Sequence, residues 1–114
     1  MKTVNKVILL GYVANDPTEQ YFENGTNMVQ LALKTREFHG AKEDRKVEKN
    51  FHNLVFWNST ALSVVEIVKK DDVLHVIGRL KTHKVDGSDG SKPQFKTEII
   101  VEEWTKINEK TEVE

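Results

Sequence analysis

The segment TNMVQLALKTREF (26–38) alternates apolar and polar side chains along most of its length. Successive side chains of a strand point to opposite faces. Val29, Leu31 and Leu33 therefore share one face, and Met28, Gln30, Ala32, Lys34, Arg36 and Phe38 share the other. Such a segment is a strand with one side in a core, and it needs further strands to complete that core. NFHNLVFWN (50–58) repeats the pattern, with His52, Leu54 and Phe56 on one side and Phe51, Asn53, Val55 and Trp57 opposite. VLHVIGRLKTHKV (73–85) turns Leu74, Val76, Gly78 and Leu80 inward and His75, Ile77, Arg79, Lys81, His83 and Val85 outward. A glycine on the inward face suits a tight bend or bulge in a closing sheet.

Residues 4–10 are apolar on both faces, with Ile8 and Leu10 as well as Val7 and Leu9, and FKTEIIVEEW (95–104) supplies a last strand. Turn signals fall at NDP (15–17), NG (24–25), HG (39–40) and DGSDG (86–90). STALSVVEIVKK (59–70) is the one helical pattern. Asn58 or Ser59 would cap it, Leu62, Val65 and Val68 recur at three-residue spacing, and Lys69 and Lys70 would meet the negative end of its dipole. The order is three strands, a short helix, and two strands joined by a glycine-rich hairpin. That is the element order of an all-β chain with one short helix, a five-stranded OB barrel, whose groove and hairpin loops bind single-stranded polymers. The expected division is a barrel domain over 1–105 and a short acidic extension over 106–114.

With 114 residues, the chain is sized for one core. It has no cysteine, which excludes disulfides and thiolate zinc sites and fits a reducing, cytoplasmic compartment. No apolar run is long enough to span a membrane, and the N-terminus does not read as a secretory signal. The formal net charge of −1 argues against a generally polycationic surface, yet charge is unevenly spread. Residues 69–96 carry seven Lys or Arg against four acids, and 34–49 carry six against four, whereas the last eighteen residues carry two against six.

The outward rows place Lys34, Arg36 and Phe38 beside Phe51 and Trp57, with Arg79, Lys81 and His83 on a further strand. Rings stack on exposed bases at ~1–3 kcal/mol each, and spaced cations displace phosphate counterions. On this reading EKNFHNLVFWN (48–58) carries more rings than a core requires because some would serve bases. The competing readings are ordinary solvation for the charges, a subunit interface for Phe51 and Trp57, and a satisfied core or interface position for His52. Catalysis finds little support. The histidines at 39, 52, 75 and 83 lack metal-ligand spacing, there is no cysteine nucleophile or glycine-rich phosphate loop, and the adjacent acids at 71–72 and 102–103 would face opposite ways in a strand. No enzyme activity, metal or cofactor is expected.

VNKVILLGYVANDP (4–17), YFENG (21–25), NFHNLVFWN (50–58), VVEIVKKDDVLHVIGRLKT (64–82) and FKTEIIVEE (95–103) resemble, in order and spacing, the bacterial-type single-stranded DNA-binding proteins. The resemblance implies base stacking by Phe38 and Phe51, which match stacking tryptophans, and by Trp57, which matches a stacking phenylalanine. It implies a subunit contact at His52 and pairing of the first strand between subunits, with Val4, Lys6 and Ile8 in the interface of a homotetramer. Three departures stand out. Val85 replaces a fourth stacking tryptophan, with Phe95 across the hairpin as the ring that would compensate. Gln20 stands where an arginine is common. TKINEKTEVE (105–114) is acidic but shorter than the family's tail, so the resemblance does not extend to tail-mediated recruitment of replication or repair proteins.

The expected function is coating of single-stranded DNA with little sequence preference during replication, recombination and repair, in the cytoplasm at the nucleoid. Phe38, Phe51, Trp57 and Phe95 would stack bases, and Lys34, Arg36, Arg79, Lys81 and Lys84 would hold phosphates. The alternatives are a primosomal replication-restart protein of the same fold, which would be a dimer, and an OB-fold module that binds another protein.

Overall fold

The computed structural model describes residues 2–85, 90 and 92–107. Among these residues six strands and one α-helix follow in the order β1 (Val7–Val13), β2 (Thr18–Tyr21), β3 (Asn27–His39), β4 (Lys46–Trp57), α1 (Asn58–Ile67), β5 (Val73–Val85) and β6 (Gln94–Ile107), with a 3-10 turn at Lys42–Asp44. The sheet order is β1-β5-β6-β4-β3-β2, and an additional β1–β3 pairing closes the first five into a barrel. The expected OB barrel with one short helix is therefore present, and β2 is an added arm that pairs only with β3. Sequence reading missed β2 because all four residues of TEQY are exposed and no apolar alternation marks them.

The core follows the alternation. Val29, Leu31, Leu33, Leu54, Phe56, Leu74, Val76, Ile99 and Val101 fill the barrel with Val13. Two crossings close it. β1 pairs with β5 from Val7 to Tyr12 and changes partner at Tyr12 and Val13, which pair with Lys34 and Leu33 of β3. There a side chain on Gly11 would collide with the carbonyl oxygen of Lys34. At the second crossing, Ile77 pairs with Glu103 but Gly78 with Val101, so Glu102 is the extra residue of a β-bulge. A side chain on Gly78 would overlap the Ile100 carbonyl. The glycine expected to permit a closing bend does so.

Side chains reinforce the closure. Asn15 Oδ1 accepts from the Ala32 N–H (2.8 Å), continuing the ladder where β1 ends. Asn5 donates to the Leu80 carbonyl and accepts from its N–H, both at 2.8 Å, as a neighbouring backbone would. The first strand therefore begins at Val7, not at residue 4. Past the Gly78 bulge β5 leaves the barrel, so Leu80, expected inward, is 48% exposed. β6 runs on through Lys106 and Ile107, two residues past the expected domain boundary. The DGSDG turn signal falls largely on 86–89, and the acidic extension on 108–114, outside the described residues.

The helix presents a different face from the one expected. Ala61, Val64 and Val68 are buried, whereas Leu62 is exposed and Val65 half-buried. α1 lies against β3 and β4, with Ala61 and Val64 on the packed side and Leu62 turned to solvent. Neither Asn58 nor Ser59 supplies a side-chain cap, since the helix begins directly after Trp57 with Asn58 at φ 53°. That left-handed value is one asparagine tolerates. Lys69 and Lys70 lie beyond the helix, where their N–H groups donate to Asp72 Oδ2 (2.8 Å) and Asp16 Oδ1 (2.9 Å). Asp72 also meets Lys106 at 3.4 Å, so the Asp71–Asp72 pair shapes a loop.

Gly78→Ala tests the closure. The backbone must move to admit the methyl group, and overpacking of this kind costs about 1–3 kcal/mol. The thermal midpoint should fall by about 5–20 °C, and an unchanged midpoint would show that the crossing tolerates a side chain.

Candidate nucleic-acid interface

On the outer face of β3 and β4 the alternation aligns Met28, Gln30, Ala32, Lys34, Arg36 and Phe38 against Trp57, Val55, Asn53, Phe51, Lys49 and Val47. Phe38 and Phe51 are each 61% exposed, and Trp57 is 36% exposed. Lys34 sits directly across from Phe51, and Phe38 lies four residues further along the same hairpin. At ~3.3 Å per residue, Trp57 and Phe51 stand about 20 Å apart and Phe51 and Phe38 about 13 Å. The three rings form an exposed row along one hairpin, too widely spaced to touch one another.

Two of the predicted cations are engaged locally. The Arg36 guanidinium lies 4.9 Å from the centre of the Tyr12 ring, and Arg79 meets Glu102 at 3.4 Å. Lys81 is exposed on the groove side of β5 and pairs across to Glu98 on β6, with His83 opposite Lys96. Lys84 and Phe95 also pair with each other, but the alternation puts both on the other face of the β5–β6 arm from Lys81, His83 and Lys96. Phe95, 74% exposed, is thus separated from the row of Trp57, Phe51 and Phe38. Val85, in the position expected to lack a stack, is 43% exposed.

The sequence reading missed three participants. Phe22, in the β2–β3 connection, stacks on Trp57 with ring centres 6.0 Å apart and planes 25° apart. Lys96 and Glu98 fall on the groove face of β6, beside Trp57, Met28, Gln30 and Ile100. YFENG offered Phe22 as an aromatic, but no alternation ties a turn residue to a strand 35 positions away. Arg45 covers the Phe38 ring at 5.6 Å, which holds one side of that ring and leaves the other for stacking. Tyr21 directs its hydroxyl to Glu19 (2.5 Å), and that hydrogen bond, with the carboxylate's charge, raises the phenol's pKa.

Of the residues expected in a subunit contact, Val4 is 90% and Ile8 58% exposed, and Lys6 is also exposed. His52 is different: it is half-buried and its Nε2 lies 2.9 Å from Thr35 Oγ1. Among the described residues, no group of three or more His, Cys, Asp or Glu side chains gathers to hold a metal ion, and no helix is long and apolar enough to cross a membrane.

The Phe22–Trp57 stack makes a prediction of its own. Aromatic pairs contribute about 0.5–1.5 kcal/mol beyond burial, so Phe22→Ala should leave the fold intact while freeing one face of Trp57. Quenching of tryptophan emission by acrylamide should increase, and unchanged quenching would mean that the rings do not pack in solution.

Comparison with known proteins agrees with this architecture. A solved structure of the Plasmodium falciparum SSB complex with ssDNA superposes with a TM-score of 0.83 at 23% identity, covering 95% of this chain and 98% of that one, and so shares the fold. The single-stranded DNA-binding protein of Bacillus cereus is 35% identical over 100 residues, 87% of this chain and 57% of the relative. That of Xanthomonas campestris is 30% identical over 101 residues, 88% of this chain and 58% of the relative. The chain thus spans a little over half the length of these relatives. The model of the single-strand binding protein family matches residues 4–107, nearly the whole barrel, and the chain belongs to that family.

Proposed function

We propose that this chain binds and coats single-stranded DNA with little sequence preference, protecting it during replication, recombination and repair, and that it acts by binding alone. The observation that carries the reading is the row of Trp57, Phe51 and Phe38 on one barrel face, flanked by Lys34, Lys81 and Lys96. Family membership and the names of the relatives support it. Duplex DNA hides its base faces, whereas a single strand presents them to rings at ~1–3 kcal/mol per stack. The cations follow the backbone without reading sequence. Arg36 and Arg79 contribute less than their charge suggests, being held by Tyr12 and Glu102, and Lys84 and Phe95 serve a strand that wraps around the β5–β6 arm. The proposed setting is the cytoplasm, at the nucleoid.

The proposal includes self-association, with four copies the expected number. Among the described residues, β1 between Val7 and Gly11 is hydrogen-bonded on one side only, to β5. Its outer face exposes Ile8 (58%) and Leu10 (59%) beside Ile77 and His75. An open strand edge carrying apolar side chains is a pairing site. Val4, Lys6 and Ile8 would sit at that contact, with His52 supporting β3 and β4 from within.

Titrating oligo-dT while following tryptophan emission tests binding, with Trp104 as background. Strong quenching at stoichiometric ratios is expected, and Trp57→Ala should abolish most of it. Three phosphate contacts by Lys34, Lys81 and Lys96 predict a log–log salt slope of about −2 per subunit. Absence of binding at low salt would overturn the reading in favour of a protein-interaction module. Light scattering should give a tetramer that Leu10→Glu dissociates; a dimer would favour the replication-restart alternative, and a wild-type monomer would refute the β1 contact.

A further inference from the structure

The groove beside Trp57 contains a carboxylate where a phosphate-binding surface would be expected to exclude one. Glu98 is 9% exposed. Its Oε1 lies 3.2 Å from His83 Nε2 and its Oε2 lies 3.9 Å from Lys96 Nζ, with Lys81 directly across the strand pair. It lines a cavity of about 410 Å3 that also has Trp57 on one side, Met28 and Ile100 as apolar surface, and the Gln30 carboxamide. This volume is within the range of small-molecule sites.

The ammonium groups of Lys96 and Lys81 offset the repulsion of Glu98 for the phosphates outside. A carboxylate has about four lone-pair sites, and the contacts with His83 and Lys96 leave acceptor capacity facing the cavity. A base stacked on Trp57 would present its Watson–Crick edge to that carboxylate. Guanine alone offers two adjacent donors there, N1–H and the N2 amino group, which match the two oxygens of a carboxylate. Its O6 is an acceptor that the Gln30 amide or the Lys81 ammonium could reach as donor. Thymine shows one N–H between two carbonyls, whereas adenine and cytosine each place a ring-nitrogen lone pair beside their amino group. In all three the carboxylate meets an acceptor, and a mismatch of acceptors in a partly desolvated site is costly.

We propose that the cavity between Trp57 and Glu98 is a guanine-selective subsite within an otherwise sequence-tolerant surface. The inference rests on the single-strand reading. It gives the coat a preferred register wherever a guanine occurs, while Phe51 and Phe38 remain indifferent to base identity.

The test compares a short labelled dT tract carrying one central dG with the same tract carrying dA, dC or deoxyinosine, which lacks the N2 amino group. One guanine per strand avoids quadruplexes. The dG tract should bind about tenfold more tightly than the dA and dC tracts, with deoxyinosine between, and Glu98→Gln should bring these ratios to about one whatever it does to the absolute affinities. Equal affinity of the wild-type protein for all tracts would overturn the subsite while leaving the single-strand reading intact. An equal shift of every tract in Glu98→Gln, with the dG preference retained, would reduce Glu98 to a spacer among cations. Failure of every tract to bind at low salt would remove both readings. The deoxyinosine comparison uses the unaltered protein, so the proposal is testable even if Glu98→Gln does not fold.

Discussion

Closure of the sheet on itself is the constraint on which the rest of this molecule depends. β5 and β6 must bend at Gly78 and Glu102, and β1 must leave β5 for β3 at Gly11, before β4 and β6 can pair in parallel at Leu54–Ile99 and Val55–Ile100. Each crossing brings backbone against backbone too closely for a β-carbon. Around them, Asn15 and Asn5 extend the hydrogen-bond ladder with side chains where a strand ends or has not begun.

Closure also makes the groove. Val55, Ile100 and Glu98 point away from the core by strand alternation, yet they are 1%, 7% and 9% exposed. A flat sheet would leave such residues in water. Here the curl of β3, β4 and β6, walled by Trp57 and the cations of the β5–β6 arm, turns an outer face into a partly dry surface. Charges in that setting are less screened than at a convex surface, so each lysine there acts more strongly than the formal net charge of −1 conveys. The acidic residues lie largely elsewhere, apart from Glu98, which holds Lys96 and His83 together.

The rings illustrate how alternation and tertiary contact divide the labour. Phe51 and Trp57 reach the surface because Leu54 and Phe56, at the opposite parity, are claimed by the core. Their parity is a local property of β4. The orientation of Trp57 is not, since Phe22 braces it from a turn that β2 positions. Arg45 over Phe38 and Arg36 over Tyr12 are likewise meetings of residues that pairing brings together.

The barrel class, its core and the face bearing Phe38, Phe51, Trp57, Lys34 and Lys81 were legible from sequence alone, because side-chain parity in a strand is decided residue by residue and the core must take the apolar set. The role of Gly78 was legible for the same reason, as a glycine at a core-facing position. Other features had no local signature. TEQY forms β2 because β3 offers it an edge, and α1 buries Ala61 and Val64 in preference to Leu62 because β3 and β4 pack against that side of the helix. Leu80 lost its core position when the bulge carried β5 out of the barrel. Phe95 and Lys84 moved away from the other predicted contacts because the arm has two faces. Phe22, Lys96 and Glu98 joined the groove through contacts between strands distant in the chain. Sequence by itself determined which side of each strand is apolar; the closed sheet decided which outward side chains share a groove, since that depends on curvature and register between strands.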